Sequence, residues 1–78
     1  MKEPTIRTTR VNTPYRSLAR ITVGAAHYYV TLRDAARAPR SPAAIQSWVR
    51  SLDQQAESGG AYGTLSFIRA WQWADQRE

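Results

Sequence analysis

Two hydrophobic periods follow one another along this chain. Between residues 18 and 33 the pattern changes at every second position. Ala19, Ile21 and Val23 alternate with Leu18, Arg20 and Thr22, and Tyr28, Val30 and Leu32 alternate with His27, Tyr29, Thr31 and Arg33. A period of two puts one set under a core and the other in water, so 18–23 and 27–33 are expected as strands. Gly24-Ala25-Ala26 between them suits a short hairpin loop with glycine at an unusual φ. Upstream, Thr5 to Val11 is rich in β-branched side chains and reads as a further strand. Asn12-Thr13-Pro14 supplies the turn after it, because proline fixes φ and removes a donor.

From residue 45 the period lengthens. Ile45, Trp48, Val49, Leu52 and Ala56 fall at i, i+3, i+4, i+7 and i+11, the stripe of an amphipathic helix. Residues 34–41 read as a linker into that helix. Ser41 suits the N-cap, and Pro42 the first helical position, where a missing N–H costs nothing. Ser58-Gly59-Gly60 should end the helix through a left-handed glycine. Residues 64–76 fit two patterns. As a helix capped by Thr64, they align Phe67, Ile68, Trp71 and Ala74, with Leu65 at the edge. As a strand, Leu65, Phe67, Trp71 and Trp73 alternate, with Arg69 intruding. Ala70, Gln72 and Ala74 favour the helix by propensity. The expectation is one α+β domain over residues 1–78: a small antiparallel sheet of about three strands, then two α-helices packed on one face.

Composition narrows the chemistry. Leu, Ile, Val and Phe make up only 13 of the 78 residues, but three Trp and four Tyr add large buried areas to a small core. With no cysteine and a single histidine, His27, the chain has neither a disulfide nor a thiolate or two-histidine metal site of its own. No cofactor or metal is expected. His27, Asp34 and a serine could be drawn as a triad, but His27 and Asp34 share one strand and its exit, and no nucleophile elbow surrounds a serine. Asp53 and Glu57 at i, i+4 repel and read as a solvated helix face. Gly59-Gly60-Ala61-Tyr62-Gly63 lacks the Lys-Ser/Thr of a phosphate loop and reads as a helix–helix turn. Enzyme activity is not expected.

Charge points instead to binding. The net charge is +5, and ten of the eleven basic residues are arginine. Residues 1–41 carry eight basic and two acidic groups, the remainder three and four. Arginine and alanine together also suit the codon usage of GC-rich DNA, but codon usage does not explain that asymmetry. On the expected wet face of the sheet, Arg20, Thr22, His27, Tyr29, Thr31 and Arg33 project together, joined by Arg7 or Arg10. Arg7, Arg10, Arg20, His27, Tyr29 and Arg33 are therefore the expected partner-binding residues. Arginine with tyrosine is the composition of interface hot spots. The same mixture suits single-stranded nucleic acid, with arginine on phosphates and tyrosine stacked on a base. Trp71 and Trp73 read as core or lid. Residues 1–5 have no apolar signal region, and the longest uncharged stretch, Ile21–Leu32, is too short to span a bilayer. A cytoplasmic protein with no membrane partner is expected.

The helical half also carries a resemblance. Ser41-x-x-x-Ile45-x-Ser47-Trp48-x-x-x-Leu52 resembles the first helix of a family of small phage anti-CRISPR proteins that inhibit the type I-F surveillance complex. That family likewise continues through a glycine-rich turn, here Gly59, Gly60 and Gly63, into a second helix with a basic-acidic end, here Arg77-Glu78. The likeness covers residues 41–78. It implies a sheet followed by two helices, with Ile45, Trp48 and Leu52 in the core. It also implies a phage or mobile-element inhibitor that occludes a host protein or ribonucleoprotein complex. In that family the sheet makes the contacts, and the first forty residues here do not follow it, so no site residue carries over.

Overall fold

The computed structural model describes residues 5–56 and 60–77. Three strands, β1 (Ile6–Asn12), β2 (Ser17–Val23) and β3 (Ala26–Val30), form an antiparallel sheet in the order β1-β2-β3. Three helices follow: α1 (Leu32–Ala35), α2 (Pro42–Ala56) and α3 (Leu65–Asp75), with a 3₁₀ turn at Ala61–Gly63 before the last. The fold is the small α+β arrangement expected from the two periods.

Local chemistry sets the turns. At the β1–β2 turn the Thr13 hydroxyl donates to the Arg16 carbonyl at 2.6 Å and accepts from the Tyr15 and Arg16 N–H groups. Val23 pairs with Ala26, leaving a two-residue loop in which Gly24 has φ 59°. That left-handed value at the first loop position is the glycine signature of a type II′ hairpin. The Ser41 carbonyl accepts from the Ile45 N–H at 3.1 Å, the bond that opens α2. Thr64 caps α3 by accepting from the Phe67 N–H at 3.4 Å. This resolves residues 64–76 in favour of the helix. Its buried stripe is Phe67, Ala70 and Ala74, while Leu65, in the first turn, is 66% exposed.

The core joins Leu18, Ala19, Ile21 and Val30 of the sheet to Ile45 and Leu52 of α2, to Tyr62, and to Phe67 and Ala70 of α3. Enclosing a side chain such as Ile21 or Ile45 contributes about 1.5–3 kcal/mol. Trp48 is only half-buried and packs against this cluster from its margin.

The structure corrects several of these expectations. Leu18 was assigned to the wet face but is fully buried beside Ala19, because β2 is the central strand and is covered on both faces at that end. The strand expected over 27–33 stops at Val30. Thr31, also expected to face water, is buried, and its hydroxyl accepts from the Asp34 N–H at 3.1 Å. This cap starts α1 and converts the linker expected from residue 34 into a helical turn. As a result Leu32, expected in the core, is exposed, and Arg33 leaves the sheet for α1. Of the expected stop signal, Gly60 has φ −72° and is extended rather than left-handed. Its N–H donates to the Gln55 carbonyl at 3.1 Å, and a Cβ there would meet that oxygen at 2.9 Å. Glycine is required by close approach. The other two residues of the expected stop signal, Ser58 and Gly59, lie outside the described residues.

Candidate binding surface

Register decides which of the expected contact residues meet. Arg7 lies opposite Thr22, Thr22 opposite His27, and Arg20 opposite Tyr29. These pairs put Arg7, Arg20, His27 and Tyr29 on one face across all three strands. Arg10 pairs with Ala19 and so belongs to the other face, where its guanidinium donates to Asn12 Oδ1 at 3.1 Å. Arg33 sits on α1. Four of the six expected residues are thus assembled.

Within that group Tyr29 is the centre. The Arg20 guanidinium lies 5.5 Å from the Tyr29 ring centroid, and Arg20 Nε donates to the tyrosine hydroxyl at 3.3 Å. The His27 ring meets Tyr29 edge-on, with centroids 5.5 Å apart. Stacking and the hydrogen bond together hold a long side chain in one place, which reduces the entropy lost when it contacts a partner.

His27 has a second contact that sequence reasoning did not find. Its Nε2 is 3.0 Å from Asp75 Oδ1 at the end of α3, 48 residues away in sequence. Asp34, the acid considered beside it, instead accepts from the Tyr62 hydroxyl at 2.6 Å and lies 3.5 Å from Arg37. The drawn triad therefore does not form.

Next to this face is a cleft of about 280 Å³ lined by His27, Tyr28, Tyr29, Val49, Asp53, Phe67, Trp71 and Asp75. Consecutive residues of a strand project to opposite sides, so a cleft touching both Tyr28 and Tyr29 wraps the outer edge of β3. Its walls are aromatic and two of its lining groups are carboxylates. The sequence signal for this site was weak, because Asp53 and Trp71 each fit an ordinary helix face and only the fold joins them to His27.

A third aromatic and basic group lies on the outer side of α3. Tyr15, Arg69, Gln72, Trp73 and Gln76 line a shallow depression, and the Arg77 guanidinium covers the Trp73 ring at 3.8 Å. Among the described residues, no cluster of three or more potential metal ligands occurs, and no helix is long and apolar enough to cross a membrane. Compared with known proteins, the chain matches no family model, no curated protein and no solved structure.

Proposed function

We propose that this chain is a non-catalytic binding protein that occludes a surface of a larger host assembly, a protein or a ribonucleoprotein, through the Arg7–Arg20–Tyr29 face of its sheet. In the form that the resemblance of residues 41–78 suggests, it is a phage-encoded anti-CRISPR acting on a CRISPR–Cas surveillance complex in the host cytoplasm. The observation that supports binding is Arg20 held against Tyr29 by both stacking and a hydrogen bond, with Arg7 on the same face two strands from His27. A pre-positioned arginine beside a tyrosine suits a carboxylate-bearing protein surface. Nucleic acid fits less well. Arg20 already lies over the Tyr29 ring and His27 meets its edge, leaving little of the ring for base stacking.

The test is capture from host lysate on immobilised protein, with and without nuclease, for the parent and for the double variant R7E/R20E. Arg7 is exposed and Arg20 half-buried, so the variant should keep a cooperative melt. The parent should retain a nuclease-resistant partner and the variant should lose it. A folded variant that captures the partner equally well removes the sheet face from consideration. Nuclease-sensitive capture, with log affinity falling linearly in log salt by ~0.7–0.9 per phosphate contact, establishes nucleic acid as the ligand instead.

A further inference from the structure

We propose that the cleft at the β3 edge receives a lysine or, better, an arginine side chain presented by the protein partner. The cleft combines two kinds of cation recognition. Tyr28 and Trp71 supply half-buried aromatic surface, and Trp and Tyr ring faces attract a guanidinium electrostatically. Asp53 and Asp75 supply the counter-charge. Asp53 has no hydrogen-bond or ion-pair partner among the described residues, whereas Asp34, the remaining described acid, is engaged with Tyr62 and Arg37. Of the three described acids, the two not tied to Tyr62, Asp53 and Asp75, therefore line one cleft in a chain whose net charge is +5, with Asp75 Oδ1 paired to His27 at 3.0 Å.

That placement runs against the charge of the molecule, and so it specifies the partner. A polyphosphate would be repelled by two carboxylates set beside the arginine face. A protein surface carrying an acidic patch next to an arginine would match both features at once. The planar guanidinium is favoured over the ammonium because it can stack on Trp71 while its N–H groups reach a carboxylate. This inference rests on the reading of the chain as a protein-binding module, but it is tested without the partner, so the two fail separately.

The experiment is a titration of the isotope-labelled protein with acetyl-Gly-Arg-Gly-amide, followed by amide and indole NMR shifts. The citrulline peptide, which keeps the shape and loses the charge, runs in parallel. A single side chain is expected to bind with a Kd on the order of millimolar. Shifts should centre on Trp71, Val49 and Tyr29, with the citrulline peptide binding at least ~5-fold more weakly. The D53N variant changes an exposed side chain and should fold normally while weakening the arginine peptide ~3-fold. Equal binding of the two peptides, shifts mapping away from the cleft, or an unchanged Kd in folded D53N would each overturn the proposal. Concentration-dependent shifts at the cleft before peptide is added would overturn it too, showing that a second copy of the chain occupies the site.

Discussion

Asp34 and Asp75 each tie the sheet half of this protein to its helical half, in opposite surroundings. Asp34 accepts from the Tyr62 hydroxyl at 2.6 Å, and the same hydroxyl accepts from the Thr31 N–H at 3.1 Å. Tyr62 is only 7% exposed, and its ring meets Phe67 edge-on with centroids 4.6 Å apart. Asp75 pairs with His27 at 3.0 Å, but those side chains are 48% and 34% exposed. In the first contact the hydroxyl and the Thr31 N–H are buried, although the Asp34 side chain is 23% exposed, so losing the hydroxyl leaves a buried donor without a replacement. In the second, water competes and the contact can be exchanged for another. A buried tie holds the fold, while an exposed tie at the mouth of a cleft can yield to a ligand.

The largest effect that would break this contrast is at Tyr62. Y62A removes the ring from Phe67 together with the hydroxyl, and should cost ~3–5 kcal/mol. Y62F keeps the ring and isolates the polar part. It leaves the Thr31 N–H and one Asp34 oxygen without their partner, a loss of about 1–3 kcal/mol. Urea unfolding followed by circular dichroism measures both. A Y62F midpoint equal to the parent's would show that the hydroxyl contributes nothing net, and the distinction between the two ties would fall.

These two ties also mark where sequence reasoning reached its limit. Gly24, Thr64 and the stripe of α2 were legible because each obeys a local rule that tertiary contacts reinforce. The end of β3 was not. Alternation continues through Thr31, Leu32 and Arg33, while Thr31-Leu32-Arg33-Asp34 also carries the Thr-x-x-acid pattern of a helix start, and that signal prevailed. Leu18 was missed because alternation counts one buried face, whereas a central strand can have two. Tyr62, between Ala61 and Gly63, and the pair His27–Asp75 had no local signal at all. They depend on contacts spanning 28 and 48 residues, which no periodicity encodes.

Alkaline pH gives a second, smaller probe of the buried tie. Burial first, and then the bond to Asp34, raise the pKa of Tyr62 above its ordinary value of 10.0. The unfolded chain therefore releases this proton before the folded one does. Below pH 10 the contribution is fully present, and it is lost as pH rises from about 10 through the folded value. Parent stability should fall across that window more steeply than that of Y62F, in which this group is absent. Parallel curves would show that the hydroxyl is solvated in the folded protein.

The smallest expected change in stability is at the exposed tie, where it sharpens the comparison most. H27A removes the bond to Asp75 and the edge contact with Tyr29, both at a surface where water takes over the released groups. Exposed ion pairs contribute ~0.2–1 kcal/mol, so the urea midpoint should barely move. The same change frees Asp75 at the mouth of the cleft and removes a potential positive charge beside it. An arginine side chain then gains a carboxylate that histidine had engaged, so the affinity of the arginine peptide should be unchanged or rise ~2–3-fold. A large stability loss in H27A, comparable with Y62F, would mean that exposure does not separate the two ties. A folded H27A that binds the arginine peptide several-fold more weakly would place His27 among the groups that hold the ligand rather than the groups it displaces.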